Sequence, residues 1–421
     1  MDPNVTPAGF ARSVSNGERR PPKIFLIAGE ESGDRLGGAL ISALKRTLGS
    51  VRFAGVGGHD MAAEGLASLV PIEELAIIGV SALPRRLPAI VRHIRTTADA
   101  AIAANPDVIV LIDSPDFTHR IGRRVRARNP NIPIVDYVSP SVWAWRPWRA
   151  RAMREYIDHV LALLPFEPAV HANLGGPPCS YVGHPLIEQV TSLRPDSQEA
   201  RRRLADPPVL LILPGSRSGE IRRLLAIFGQ AVAHLHARFR SLELVLPTMP
   251  HFAANVVAAT AEWPVRPRVV VGRDEKQAAF RTARAALTKS GTVTLELALA
   301  GVPMVAAYKV TLFEEIVARL ALNLSSVILV NLVLGENVVP EFLQRTCTPQ
   351  NLAAALMPLL ADTPERRRQV DAFARLDAIM EIGNAVPSRR AADIVLSFVE
   401  HPVPTSDRLV EEYSTEACRG R

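Results

Sequence analysis

The run Ile112-Asp113-Ser114-Pro115-Asp116-Phe117 places two carboxylates directly behind a stretch of apolar β-type residues. A carboxylate at the tip of a strand, where ligand crevices form, is a common general base. Asp116 has an equally good structural task as a first-turn acid of the following helix. Asp113, at the tip itself, is the catalytic candidate. A second acidic loop, Gly29-Glu30-Glu31-Ser32-Gly33-Asp34, also joins a strand to a helix, with Gly37-Gly38 one turn on. Glycines admit close backbone approach, and a helix N-terminus favours anionic oxygens. Glu30 is the second catalytic candidate, with either Glu30 or Asp34 able to assist Asp113. Ser32 and Asp34 are candidates for contacting a ligand. The loop is not GxGxxG, and no acidic residue closes the next strand, so a dinucleotide fingerprint is absent.

Val138-Ser139-Pro140-Ser141-Val142-Trp143-Ala144-Trp145-Arg146 holds two of the four tryptophans around one alanine. Ser139, Trp143 and Trp145 are candidates for walling an acyl or sugar site; a domain-packing plug is the alternative. Farther on, Pro214-Gly215-Ser216-Arg217 offers backbone N–H groups and a guanidinium, a chemistry that holds a diphosphate without a metal. Lys289-Ser290-Gly291-Thr292 opens another helix, and Glu296, one turn in, can accept hydrogen bonds from ribose hydroxyls. Together, Gly-Ser-Arg and SGT-x-x-x-Glu are a stronger signal than either alone.

These loops need rigid elements behind them. Lys23–Ala28 and Val209–Leu213 each read as a strand followed by a Gly/Ser turn and a helix, the opening unit of a doubly wound domain. Asp107–Ile112, Ile134–Val138, Leu242–Pro247, Arg268–Val271 and Pro303–Tyr308 add buried-type strands separated by helical stretches, the pattern of parallel sheets covered on both faces. The expected class is α/β, with two Rossmann-like domains facing across a cleft. The expected boundaries are a disordered extension over 1–22, a first domain over 23–185, a second over 186–400 and a tail over 401–421.

The 421 residues suit two domains, and 48% hydrophobic with 22% charged residues is ordinary globular composition. Three scattered cysteines, with no CxxC pair, exclude a disulfide scaffold or structural zinc and fit a reducing compartment. No signal peptide or membrane-spanning run is read, which points to the cytoplasm. The net charge of +7 suits anionic partners: nucleic acid, phosphorylated substrates or an anionic membrane surface. Nucleic acid is disfavoured, because the basic residues are dispersed along the chain and form no known module. Two apolar stretches suit lipid: Ile77 to Ile94, interleaved with Arg85, Arg86 and Arg92, and Phe313 to Leu324. Packing within their own domain is the alternative for both.

The motifs resemble lipid-A-disaccharide synthase, a membrane-associated inverting glycosyltransferase (hexosyltransferase) of the GT-B type. The resemblance runs in family order from about residue 23 to 350. It rests on the stretches above together with Gly55-Val56-Gly57-Gly58, Leu164-Pro165-Phe166-Glu167, Gly183-His184-Pro185, Asn331 and Pro340-Glu341-Phe342-Leu343-Gln344. VSPSVWAW is nearly family-specific. The resemblance implies transfer from UDP-2,3-diacylglucosamine to 2,3-diacylglucosamine 1-phosphate (lipid X), giving a β-linked disaccharide and UDP in lipopolysaccharide biosynthesis. It implies no cofactor, no metal, and a homodimer with exchanged C-terminal parts. It also implies peripheral contact with the inner face of the inner membrane of a Gram-negative bacterium. Asp113 is then the base on the acceptor hydroxyl, Ser32 and Asp34 contact the acceptor, and Arg217, Glu296, Asn331 and Gln344 hold the UDP portion. Lys289 departs from the family pattern, which has a small residue there; an added cation beside a diphosphate is compatible with binding. The rivals are a UDP-N-acetylglucosamine 2-epimerase, an N-acetylglucosaminyltransferase, or a non-catalytic protein bound to a membrane surface.

Overall fold

The computed structural model describes residues 20–75, 83–309, 326, 328–383 and 386–400, with backbone alone for Glu73 and 83–87. Most of the expected extension, the tail, 77–82 of the first lipid-type stretch and all of the second lie outside the described residues. Arg20 to Pro22, expected to be disordered, are anchored: Arg20 pairs with Asp107 at 2.7 Å, and the Pro22 carbonyl accepts from the Arg52 N–H at 2.8 Å.

Among the described residues, twelve strands form two parallel sheets. The first contains β1 (Lys23–Ala28), β2 (Arg52–Val56), β3 (Val108–Ile112), β4 (Ile134–Tyr137), β5 (His159–Ala162) and β6 (Cys179–Tyr181), in the order β2-β1-β3-β4-β5-β6. The second contains β7 (Val209–Leu213), β8 (Glu243–Thr248), β9 (Arg268–Val271), β10 (Ala285–Lys289), β11 (Met304–Tyr308) and β12 (Glu341–Leu343), in the order β12-β11-β10-β7-β8-β9. In each sheet the first strand has neighbours that leave in opposite directions. The crevice where a ligand sits in such a fold therefore opens between β1 and β3, and between β7 and β10.

The helices that position the site are α1 (Glu31–Leu48), α2 (Leu83–Ala104), α3 (Pro115–Arg128), α4 (Trp148–Met153), α5 (Glu167–Asn173), α6 (Ser218–Arg238), α7 (Arg273–Thr282), α8 (Val293–Leu299), α9 (Leu329–Leu334) and α10 (Pro387–Glu400). Alternation along β1 divides the first core. Ile24 and Leu26 face Leu40, Ile41 and Leu44 of α1, while Phe25 and Ile27 face Ile94 of α2 and Ile121 of α3. The second sheet is covered likewise: Leu210 and Ile212 meet Leu224 and Phe228 of α6, and Leu211 and Leu213 join Leu295 and Leu297 of α8.

The chain passes from the first sheet to the second after β6 and returns at its end. Ala391, Ala392, Val395 and Leu396 of α10 complete the same core as Ile24 and Leu26. Each large apolar side chain buried there contributes roughly 1.5–3 kcal/mol. The two crossings are tied together where the Tyr181 hydroxyl donates to the Met380 carbonyl at 3.0 Å and the Ser388 N–H donates to Glu188 at 3.2 Å.

Candidate active site

Strain marks the carboxyl edges of both sheets. On the first, Asp113 (φ +55°), Ser114 (φ +46°) and the β-branched Val138 (φ +93°) hold left-handed backbone; on the second, Gly215 (φ +118°) and Gln344 (φ +49°) do. A non-glycine residue held there costs on the order of 1–3 kcal/mol and clusters at functional sites.

Asp113 is set from both sides of β3. Its N–H donates to the Tyr137 carbonyl at 3.0 Å, one carboxylate oxygen accepts from Ser32 Oγ at 2.7 Å, and the other accepts from the Ser114 N–H at 2.7 Å. Ser32 is in the first turn of α1, so this bond ties the loop after β1 to the loop after β3. The approach is close: a Cβ at Gly29 would come within 2.8 Å of Ser114 Cβ. Glu30 is the exposed residue preceding α1, and its side chain makes no capping bond. Asp116 pairs with Arg149 at 2.7 Å.

The structure gives two expected acceptor residues other tasks. Asp34 is 3% exposed, and its carboxylate accepts from the N–H groups of Gly58, Asp60 and Met61 at 2.7, 2.8 and 3.0 Å. It fastens the Gly55–Gly58 loop to α1 in place of facing an acceptor. Ser139 is buried, and its hydroxyl lies 2.9 Å from Nε2 of the fully buried His171 of α5. The tryptophan pair divides. Trp143 packs against the second sheet's core, edge-on to Phe166 (5.5 Å), and its indole N–H donates to Glu167 at 3.2 Å. Trp145 is exposed, with the Arg146 guanidinium stacked 3.9 Å above its ring.

Glu167, which the sequence left without a role, is 4% exposed and also accepts from the Leu164 N–H at 2.9 Å. Burial pushes its carboxyl up to about 7, against the opposing pull of those hydrogen bonds. In the first sheet's covering, His119 Nε2 of α3 lies 3.2 Å from the buried Asp136 of β4.

On the second sheet the ends of β7, β10, β11 and β12 lie side by side, which brings Gly215–Arg217, Lys289–Thr292 and Gln344 to one edge. Glu220, in the first turn of α6, organises them. Its carboxylate accepts from the Ser216 N–H at 3.2 Å and meets the Lys289 ammonium at 3.1 Å. Glycine is required at 215, because a Cβ would sit 2.5 Å from Glu220 Oε2 on a backbone at φ +118°. Arg217, immediately before α6, is largely exposed, with its guanidinium 3.9 Å from Glu220. Ser290 is buried and its N–H donates to the Ala307 carbonyl at 2.9 Å; Gly291 and Thr292 carry the turn into α8. Glu296 of α8 is bound by Lys276 of α7 at 2.6 Å, a partner the sequence did not suggest because α7 precedes α8 by a full strand.

One residue expected to hold UDP, Asn331, has its amide engaged within the protein. Asn331, in α9, is 2% exposed, and its amide is fully used: Nδ2 donates to the Val339 carbonyl (3.0 Å) and Glu341 (3.1 Å), and Oδ1 accepts from the N–H groups of Val338 and Val339 (3.1 and 2.9 Å). It shapes the loop leading into β12 and presents no free polar atom to a ligand. Gln344 follows β12, with its N–H on the Tyr308 carbonyl at 3.0 Å.

Comparison with known proteins matches this architecture. The family model described as lipid-A-disaccharide synthetase covers residues 24–395. The lipid-A-disaccharide synthase of Nitrobacter hamburgensis is 64% identical over 91% of this chain and 96% of its own, and that of Bradyrhizobium diazoefficiens is 63% identical over 89% and 96%. Among solved structures, a UDP-GlcNAc 2-epimerase from Neisseria meningitidis (TM-score 0.57, 14% identity) covers 89% of this chain and 100% of its own. The calicheamicin glycosyltransferase CalG4 (TM-score 0.58, 17% identity) covers 92% and 100%. MurG of Acinetobacter baumannii (TM-score 0.53, 15% identity) covers 90% and 100%. At these identities the structural likeness establishes the fold, which is GT-B.

Proposed function

The chain belongs to the lipid-A-disaccharide synthase family, and on that premise we propose that its first sheet receives the acceptor lipid and its second the UDP portion of the donor. It is a glycosyltransferase that forms the lipid A disaccharide. The donor is UDP-2,3-diacylglucosamine and the acceptor 2,3-diacylglucosamine 1-phosphate. The Asp113 carboxylate takes the proton of the acceptor 6-hydroxyl as that oxygen attacks the anomeric carbon from the side opposite UDP. The bond from that carbon to the diphosphate breaks, UDP leaves, and the configuration inverts.

The observation that carries this reading is the Ser32–Asp113 bond of 2.7 Å across the β1–β3 crevice. It holds a carboxylate at the topological switch point without burying it. Lys289 and Arg217, with the N-termini of α6 and α8, supply the positive charge that a departing diphosphate needs. Glu296 keeps one oxygen for the ribose while Lys276 holds the other. Glu30 assists at the mouth of the acceptor crevice, and Gln344 closes the nucleotide edge.

We place the enzyme in the cytoplasm, peripherally on the inner face of the inner membrane. No helix among the described residues is long and apolar enough to cross a membrane. As a homodimer, two copies would exchange C-terminal parts, α10 of each making on its partner the contacts it makes here on its own first sheet. The deciding experiment is incubation with the two diacylated substrates. Disaccharide 1-phosphate and UDP are the expected products; turnover of UDP-N-acetylglucosamine with no lipid product overturns the assignment.

A further inference from the structure

The arginines that are dispersed along the sequence are gathered by the fold. α2, α3 and the residues around α4 all cover the same side of the first sheet, contributing Ile94, Ile121, Val125, Met153 and Tyr156 to one core cluster. Their outward sides are basic. α3 carries five arginines against one aspartate, and Arg120 and Arg124 are both exposed, as are Arg92 and Arg95 on the neighbouring α2. Arg120, Arg124 and Arg128 repeat at i, i+4 and i+8, a self-repelling stripe that disfavours the helix it sits on. Arg128 finds Asp99 of α2. Arg120 and Arg124 have no carboxylate within ion-pair distance among the described residues.

At one end of this face stand two exposed tryptophans, Trp148 (68% exposed) and Trp145 (37%). An indole left in water beside arginines is costly for a surface that meets only solvent, yet it is the composition of a membrane-interface belt. This end is also the catalytic end. Arg149, next to Trp148, bonds to Asp116, three residues from Asp113. The arginine face therefore ends at the mouth of the acceptor crevice.

We propose that this face, with Arg120 and Arg124 as its charge and Trp145 and Trp148 as its wedge, docks the enzyme on an anionic lipid bilayer with the acceptor crevice turned toward the lipid. The proposal rests on the lipid-acceptor reading above and specifies its surface. Cationic side chains hold a headgroup layer by about one Coulombic increment each, and interfacial tryptophans fix depth.

The test uses the full-length protein with vesicles of phosphatidylglycerol and phosphatidylcholine, and with phosphatidylcholine alone. Binding to the anionic vesicles alone is expected, weakening with salt, and the double variant Arg120→Ala/Arg124→Ala should bind about thirtyfold less tightly. Brominated lipids should quench the wild-type tryptophan fluorescence, and Trp148→Ser should remove much of that quenching while sedimenting only moderately less. Both variants should turn over detergent-dispersed substrates at the wild-type rate and lose rate on vesicle-embedded acceptor. Wild-type binding by the double variant, or no quenching by brominated lipid, overturns the docking surface and leaves the glycosyl transfer standing. So does preferential binding to duplex DNA that the double variant loses. Failure of the wild type on dispersed substrates overturns the transfer itself.

Discussion

The indole N–H of Trp143 donates to the buried carboxyl of Glu167 at 3.2 Å, so a loop of the first sheet that packs on the second sheet's core is held by a group titrating near neutrality. Ser139 and His171 complete the clamp, with the Ser139 hydroxyl 2.9 Å from the imidazole. The VSPSVWAW stretch thereby joins the two halves of the chain, and its second tryptophan is left to solvent.

Glu167 gives the first prediction. Its carboxyl lies at about 7 in the folded chain against 4.5 for the ordinary group, so folding favours the protonated form. The stability this lends is complete below about pH 4.5 and is lost as the pH rises through about 7, on the order of 3 kcal/mol in all. The buried histidines His171 and His184 are pushed down by burial and act in the opposite sense, so a difference measurement is needed. Denaturation of the wild type and Glu167→Gln from about pH 5 to about pH 8 should show the glutamine variant gaining steadily on the wild type. A gap that stays constant with pH would mean that Glu167 titrates as an ordinary carboxylate.

Asp113→Ala should lower kcat by about 10²- to 10⁴-fold, with the affinity for UDP unchanged, because the base acts on the acceptor alone. Ser32→Ala should cost about tenfold in kcat, the worth of one positioning hydrogen bond to a charged group. Isothermal titration with UDP separates the outcomes. A collapse of nucleotide binding in Asp113→Ala, with chemistry surviving, removes it from the role of base.

Lys289→Ala should weaken UDP binding about 10- to 100-fold, since it takes away a charge-assisted contact to the diphosphate. Glu220→Gln should have a milder effect of the opposite sign, because it removes the negative charge that offsets the Lys289 ammonium 3.1 Å away. With these cations serving the leaving group, activity should persist in excess EDTA; complete loss that added Mg²⁺ restores would assign that role to a metal.

Asn331→Ala should act on stability before it acts on binding. It strips the N–H groups of Val338 and Val339 of their acceptor, and leaving buried donors unmet costs about 1–3 kcal/mol each. Chemical denaturation should register the loss. A variant of wild-type stability with poor UDP affinity would return Asn331 to the role of direct ligand.

Position along the chain is what made Asp113, Gly215–Arg217 and Ser290–Thr292 legible: a strand-end loop in a parallel sheet faces the crevice wherever the rest of the chain goes. Asp34, Ser139 and Asn331 illustrate what that logic misses. Each is a polar residue in or beside a site motif, but its side chain turns inward to satisfy a neighbouring loop, and nothing in residue type distinguishes the two directions. Lys276, Glu220 and Glu167 were missed for the complementary reason, since their value lies in a partner brought near by folding. The strands β6 and β12, three residues each, offered too few residues to read periodically, and β5 and β10 were not told apart from the helical stretches beside them. The arginines of α2 and α3 gave a net charge but no direction, and only the helix faces supply that.

The return of α10 to the first sheet separates the order of synthesis from the order of completion. Residues 20–181 leave the ribosome first, yet the face bearing Ile24, Leu26 and Val110, which α1 covers in part, is not closed until Ala391 to Leu396 have been made. The nascent first half must therefore wait, with part of that apolar face open, through translation of the whole second half. The half that begins the chain is finished by a helix made after the other half.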